Sequence, residues 1–493
     1  MLSIYLLVGA LLLLLSIFSS KLSTRFGIPV LLVFLGIGMI VGSDGLNWIY
    51  FDNYELAQYL GIIALIYILF SGGLDTRWKK IQPVIIPGIS LSTLGVLVSA
   101  LIVGVFTSWL LNFGLLEGVL VGAIVSSTDA AAVFSVLRSK ALGFKYRLKE
   151  LMEFESGTND PMAIFLAIGI IQLLILPDFG WLEMTLLFFQ QISVGLLGGY
   201  IFGKLTTWII NSINLEYDGL YPVLMLALVP LIYSVIDLMG GSGFLAVYIA
   251  GMVLGNSNFI HQRSLINFFD GLGWLMQITM FLTLGLLVFP TQIMAISGTG
   301  LLVALVLILV ARPVSVFVSL FFSRFKMRSK LMISWTGLRG AVPIIMATFP
   351  LGASMENAEL IFSIVFFVVV TSVLIQGPFI PLIARWLHVD SPILPKTKFP
   401  IEFEPSVDTK SALKEIVVDE KDSIIGKKII DLDFPNDALI VIINREGKFL
   451  VPRGTTELQA NDKLLVLSKK DQFDKIKRLL KSDFENQTSG NAV

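Results

Sequence analysis

Thirteen apolar stretches, each long enough to cross a lipid bilayer, decide what this chain can fold into. A helix needs about 20 mostly apolar residues to span ~30 Å of hydrocarbon, and a spanning segment must satisfy its backbone internally. The stretches lie near 2–18, 28–46, 55–72, 83–109, 115–138, 147–176, 184–210, 219–238, 241–256, 271–289, 296–322, 331–350 and 359–386. Only 15% of the 493 residues are charged, against roughly 25% in soluble domains. That average hides a boundary. About a tenth of residues 1–390 and about a third of residues 391–493 are charged, so a membrane domain precedes a small soluble one.

Further exclusions follow from single residue types. There is no cysteine, which removes disulfides, thiolate catalysis and cysteine-ligated metals. His261 and His388 are the only histidines, too few for a His-rich metal centre. Thirty-six basic residues balance thirty-six acidic ones, so bulk charge gives no reason to expect nucleic-acid binding.

Lys and Arg in short connections mark the cytoplasmic side. They follow span 1 (Lys21, Arg25), span 3 (Arg77, Lys79, Lys80), span 5 (Arg138, Lys140, Lys145, Arg147, Lys149), span 9 (Arg263) and span 11 (Arg324, Lys326, Arg328, Lys330). The intervening connections carry Asp52, Glu117, Asp178 and Glu183. The N-terminus is therefore expected outside and the soluble tail inside. The connection after span 7, with Glu216 and Asp218, breaks the rule. Span 1 is expected to be retained, because no basic residue precedes Lys21 as a signal peptide requires.

An ionisable group inside a span costs at least ~2.5–3.5 kcal/mol at the bilayer centre and is a functional candidate by default. Glu55, Asp75 and Lys204 sit near span ends, where they can reach the interface. Two regions do not fit that reading. Span 5 carries Ser126-Ser127-Thr128-Asp129 in its middle, where hydroxyls can bond backbone carbonyls and tolerate an unwound stretch. A carboxylate among carbonyls suits an alkali cation. Span 6 carries Glu155-Ser156-Gly157-Thr158-Asn159-Asp160-Pro161. Pro161 removes a backbone donor and disturbs the preceding turn, and Ser156 and Asp160 share a helix face. With neutral Asn159 beside it, Asp160 is a single carboxylate able to hold a proton or a cation, but not both.

Span 12 carries Gly337-Leu338-Arg339-Gly340-Ala341-Val342-Pro343, breakers that match the hydroxyl run of span 5. Two interrupted helices seven spans apart point to an inverted-repeat transporter with its site at the midplane. Arg339 stays charged and needs a partner. Glu155 is the leading one; the alternative is that Arg339 reaches water at the cytoplasmic end.

Together, Phe70-Ser71-Gly72-Gly73-Leu74-Asp75, Ser127-Thr128-Asp129-Ala130, Glu155-Ser156 with Asn159-Asp160-Pro161, Gly337-Leu338-Arg339-Gly340-Ala341 and Gln376-Gly377 resemble the monovalent cation:proton antiporter family of the NhaP type. The resemblance covers about residues 1–390. It implies a polytopic α-helical fold of about thirteen transmembrane helices with inverted repeats and crossed broken helices, arranged 6+1+6 and usually a homodimer. It implies that Asp160 carries the cation and the proton, that Thr128, Asp129, Ser156 and Asn159 line the site, and that Glu155 and Arg339 form a structural ion pair. An Asn-Asp pair implies electroneutral one-for-one exchange. Ser71 departs from the Glu common at that motif position, removing an acidic group near the site.

Residues 391–404 read as a linker, 405–480 as a compact α/β unit and 481–493 as a disordered tail. Apolar runs at 413–418, 438–443 and 464–467 predict strands, with a hairpin turn at Asn444–Lys448. Helical spacing of Phe473, Ile476 and Leu480 predicts a helix over 471–480. Ile424-Ile425-Gly426, Arg445-x-Gly447, Pro452-x-Gly454-Thr455-Thr456 and Asp462-x-Leu464 resemble the C-terminal lobe of regulator-of-potassium-conductance domains. Similar lobes dimerise, and some bind cyclic di-AMP, which implies regulation and tilts the cation from sodium towards potassium. A dimerisation module without a ligand is the alternative.

Other functions fare worse. No Thr-Val-Gly-Tyr-Gly-like filter points to a channel. Asp129 with Asp160 could mimic an aspartyl protease pair, but their surroundings do not fit one. No phosphate-binding Gly-x-x-x-x-Gly-Lys-Ser/Thr loop supports a primary pump.

Overall fold

The computed structural model describes residues 2–26, 29–392, 411–419, 422, 424–432, 434–435, 437–469, 472–473 and 475–476. The linker beyond Pro392 and the 481–493 tail lie outside the described residues. The chain divides into two compact units, Met1–Leu394 and Pro395–Val493.

Each of the thirteen apolar stretches falls on a helix or a broken pair. Span 1 is Leu2–Phe26, span 2 Val30–Val41, span 3 Tyr54–Asp75 and span 4 Trp78–Leu111. Span 5 is two half-helices, Leu115–Ile124 and Ala130–Ser139. Span 6 is Leu148–Ile175, span 7 Trp181–Ser212, span 8 Leu220–Leu238, span 9 Gly243–Gly255, span 10 Gln262–Leu287 and span 11 Ser297–Ser319. Span 12 is again broken, into Met327–Trp335 and Val342–Gly352, and span 13 is Ala358–Trp386. Among the described residues, eight helices are long and apolar enough to cross a membrane, and shorter apolar ones accompany them.

Internal repetition shows in the irregularities. Spans 5 and 12 break at matching places. Spans 4 and 11, also seven apart, each contain one wide π-turn, Leu91–Gly95 and Leu307–Ala311. In span 11 the cause is local: Pro313 has no N–H and its ring crowds the carbonyl four residues back. The wide turn relieves that crowding and re-aims Arg312, which follows it. Span 6 stays helical through Pro161. The disturbance expected there is confined to the missing bond at the Gly157 carbonyl.

Spans 4–6 and 11–13 pack mainly on one another, as do spans 1–3 with 7–10. The first set, with both broken helices, is called the crossing group below, and the second the frame. The acidic connection after span 7 has a local explanation. It docks on the connection after span 9, where His261 Nε2 lies 3.5 Å from Asp218 Oδ1 and the Asn211 carboxamide bonds the backbone at Asn258 and Ile260.

A two-stranded clasp ties two connections together. Strand β1, Leu142–Phe144, lies between spans 5 and 6 and pairs antiparallel with β2, Asp390–Pro392, just after span 13. Lys145 N–H extends the pairing by donating to the Val389 carbonyl at 2.8 Å.

The second unit holds an antiparallel sheet of β3 (Ser411–Val417), β4 (Leu439–Arg445), β5 (Lys448–Leu450) and β6 (Lys463–Lys469), ordered β3-β6-β4-β5. The apolar runs fall on β3, β4 and β6. The β4–β5 turn has positive φ at both Glu446 and Gly447, the geometry that suits a two-residue hairpin. Ile416, Ile443, Leu464, Phe473 and Ile476 share the core. Asp462, fully buried, accepts from Arg445 through both oxygens, at 2.9 and 2.7 Å. Most of the helix expected over 471–480, Leu480 included, lies outside the described residues.

Candidate ion site at the crossing of two broken helices

A broken helix leaves carbonyls without donors at one half's end and N–H groups without acceptors at the other half's start. Here three of the four orphan ends have partners. The first half of span 5 ends at Ile124, and the carbonyls of Ser126 and Ser127 receive Arg339 Nη1 at 2.5 and 2.7 Å. The second half begins after Asp129, whose Oδ1 accepts the Ala132 N–H at 3.1 Å as an N-cap. In span 12 the first half ends at Trp335. Gln376 Nε2 of span 13 donates to the Trp335 carbonyl at 2.9 Å, and the indole Nε1 returns a bond to the Gln376 carbonyl at 3.2 Å.

The unwound segments touch directly. Asp129 N–H donates to the Leu338 carbonyl at 2.7 Å. Approach this close requires glycine at 340, because a Cβ there would come within 2.6 Å of Asp129 Oδ2. The chains cross where the glycines of span 12 and the hydroxyls of span 5 permit it.

Span 6 lies against this crossing. Ser127 Oγ donates to Asp160 Oδ1. Asn159 Nδ2 donates to Thr128 Oγ1 at 2.6 Å. Ser156 Oγ donates to the Thr128 carbonyl at 3.0 Å and accepts the Ala130 N–H at 3.2 Å. Six side chains from two spans thus converge: Ser127, Thr128, Asp129, Ser156, Asn159 and Asp160. Asp160 is only 7% exposed. Among the described residues, no protein group donates to its second oxygen. Beside it, Asn159 Oδ1 is buried without any partner. Buried oxygens are nearly always bonded, so the unpartnered Asn159 Oδ1, next to an Asp160 oxygen that no protein group satisfies, marks a place for a cation or a water.

Glu155 and Arg339 do not pair. Glu155, 2% exposed, lies 2.7 Å from Arg312 Nη2 of span 11, and Arg312 is itself 4% exposed. Arg339 is 1% exposed and gives its Nη1 to the span 5 carbonyls instead. The expected Glu155–Arg339 pair therefore gives way to Glu155–Arg312. The alternative, Arg339 reaching water, fails as well. Spacing within span 6 places Glu155 away from Asp160, and the face it does occupy is turned to span 11.

Two groups carry more than their sequence pattern indicates. Arg312 is marked in the sequence only by an Arg-Pro pair interrupting the apolar run of span 11. Ser127, part of the hydroxyl run that breaks span 5, is also Asp160's direct donor. Ser71 lies in the frame beside Gly273 of span 10, not among the converging side chains. Lys204 is exposed, with its ammonium 6.0 Å from the Tyr200 ring centre, and Glu55 and Asp75 occupy the first and last turns of span 3.

Similarity to known proteins follows the same outline. The transmembrane sodium/hydrogen exchanger family matches residues 10–386, and the TrkA-C domain matches residues 413–481. The chain is 38% identical to a K(+)/H(+) antiporter NhaP2 of Shewanella baltica, over 98% of this chain and 84% of that one. It is also 38% identical, over the same shares, to a K(+)/H(+) antiporter NhaP of Alkalimonas amylolytica. Its fold resembles that of the sodium proton antiporter MjNhaP1 from Methanocaldococcus jannaschii, with a TM-score of 0.68 at 26% identity, covering 77% of this chain and 97% of that one. With its thirteen spans, its crossed broken helices and a TrkA-C domain behind them, the chain belongs to the sodium/hydrogen exchanger family of membrane transporters, and it is not an enzyme.

Proposed function

We propose that this chain exchanges potassium for protons, one for one, with Asp160 holding either ion in turn. The observation that carries the reading is Asp160, 7% exposed and bonded by Ser127 through one oxygen only, beside the buried, unpartnered Asn159 Oδ1 at the helix crossing. Thr128, Asp129 and Ser156 complete the oxygen-rich surroundings. Charge supports the stoichiometry. The crossing holds three carboxylates (Asp129, Glu155, Asp160) and two guanidiniums (Arg312, Arg339), so one proton or one monovalent cation brings it to neutrality. Potassium, with sodium as the alternative, rests on the names of the relatives.

Movement of the crossing group against the frame gives alternating access. On the side of the basic connections, Ala131 in the first turn after Asp129 is exposed, as are Gly72 and Asp75 of span 3. Towards the other side, Met162, Ala163, Ile164 and Phe165 are all buried. The site opens to the basic side, which we take as the cytoplasm of a bacterium, with the N-terminus outside the plasma membrane and the TrkA-C domain inside. The β1–β2 clasp gives that domain a route to the site. β2 ends the described chain before the second unit, and β1 joins the capped half of span 5 to span 6. We assign the tail a regulatory role, with cyclic di-AMP as the effector to test, and the working assembly to a homodimer.

Proton release against added potassium or sodium, in proteoliposomes of the full chain, tests this. Potassium-driven, voltage-insensitive release that is lost in Asp160→Asn is expected. Sodium-only release would overturn the ion assignment, and current without proton movement would overturn exchange altogether.

A further inference from the structure

The contact between the frame and span 6 is narrow next to Asp160. Gly157 lies one turn before Asp160, so both residues sit on one side of the helix. The Tyr248 ring of span 9 occupies the space where a side chain at 157 would go: a Cβ there would come within 2.6 Å of the ring Cζ and 2.8 Å of the hydroxyl oxygen. The ring has little freedom to retreat, being 1% exposed. Its hydroxyl lies 3.4 Å from Oγ1 of Thr76, the C-cap of span 3. Thr76 already commits its only hydroxyl proton to the Gly72 carbonyl at 2.7 Å, so the tyrosine must be the donor. Span 9 and the cap of span 3 therefore hold the ring while its hydroxyl-bearing end meets the bare backbone of span 6.

Gly157 is also the residue whose carbonyl Pro161 leaves without a helical donor. Span 6 thus has, one turn from its carrier, both a side-chain-free backbone and a missing helical bond, set against a buried aromatic ring of the frame.

We infer that Tyr248 is a positioning residue for transport: its ring seats in the notch at Gly157 and holds span 6, with Asp160, in the arrangement open to the basic side. The ring acts through shape, and its hydroxyl serves to fix the ring. The inference rests on the exchange reading above and adds to it the residue that sets the rest position of the carrier.

The test uses the full chain in proteoliposomes, with cation KM on the basic side and maximal exchange rate measured together. Apparent affinity falls in proportion to the fraction of molecules in the binding-competent state. Tyr248→Leu removes the seat. It is expected to raise the apparent cation KM about tenfold, with the maximal rate within about twofold of the parent, if the competent fraction falls to about a tenth. Tyr248→Phe keeps the ring and is expected to match the parent. Gly157→Ala fills the notch and is expected to slow exchange, and Gly157→Ala/Tyr248→Leu is expected to recover most of the lost rate. A purely structural tyrosine would instead lower the rate of Tyr248→Leu with KM unchanged, and that result overturns the inference. So does a double variant no faster than Gly157→Ala alone, or a Tyr248→Phe as impaired as Tyr248→Leu. If Gly157→Ala does not fold, the KM of Tyr248→Leu decides alone. A parent chain that exchanges no cation defeats the exchange reading itself, whereas an active parent with indifferent variants defeats only this step.

Discussion

The two broken helices cross at one place but are built from opposite materials. Span 5 breaks at hydroxyls and a carboxylate, Ser126 to Asp129, and span 12 breaks at glycines around an arginine, Gly337 to Gly340. Span 5 presents oxygens to span 6. Span 12 presents a fixed positive charge to the carbonyls of span 5 and bare backbone to Asp129. One break therefore furnishes the surroundings of the transported ion, and the other stabilises the first. An inverted repeat sets the two breaks opposite each other without requiring them to share a role.

If that division holds, changing the carrier beside span 5 should abolish exchange and spare the fold. In Asp160→Asn the side chain keeps its size and can still accept from Ser127, but it cannot take up a proton. Exchange is expected to fall to the leak of protein-free vesicles, with an unchanged melting temperature in detergent. Parent-like exchange in this variant would remove Asp160 from the carrier role.

The buried arginines of spans 11 and 12 should behave in the reverse way. Arg312→Ala leaves Glu155 buried and unpaired, and breaking such a pair costs about 3–5 kcal/mol. A large drop in melting temperature is expected. Glu155→Gln/Arg312→Gln is expected to be more stable than Arg312→Ala, because no lone charge stays buried. Equal melting temperatures for the two variants would deny that Glu155 depends on Arg312. Arg339→Leu should cost less. It orphans the Ser126 and Ser127 carbonyls at about 1–3 kcal/mol each, and loss of the arginine's own desolvation offsets part of that. Cation KM in the surviving protein should match the parent. A changed KM with normal stability would move Arg339 from support to ion binding.

How legible these roles were depended on whether the cue was local. The spans were readable from hydropathy, and both breaks from the residues that make them, since hydroxyl runs, Gly and Pro act within one turn. The strands of the tail followed from their apolar runs in the same way. Asp160 could be read because a carboxylate near the middle of a 28-residue apolar helix, next to a proline, has no bland explanation. The partner of Glu155 could not be read. Two buried arginines, at 312 and 339, competed for it, and the choice depends on the rotation of spans 6, 11 and 12 about their axes. The π-turn before Pro313 sets part of that rotation, and a hydrophobicity profile does not register one added residue in a turn. Gln376 was visible as part of a motif, but its service to the Trp335 carbonyl appears only in three dimensions.

That last contact separates support from site most finely. Gln376 is 1% exposed, and its Oε1 accepts from Ser372 at 2.7 Å while Nε2 caps Trp335. Gln376→Leu fills similar space but leaves the Trp335 carbonyl and the Ser372 hydroxyl without these partners. Ser372 can turn to a backbone carbonyl of its own helix, as Ser and Thr do within spans, so the uncompensated loss is one carbonyl, about 1–3 kcal/mol. The variant is expected to melt at a lower temperature than the parent, but above Arg312→Ala, with cation KM unchanged. The cap lies on the half of span 12 that precedes Leu338, so it stiffens the crossing without facing Asp160. A shifted KM in Gln376→Leu would mean that the two halves of span 12 are not mechanically separate. The contrast between a break that binds and a break that supports would then hold for side chains but not for the helices that carry them.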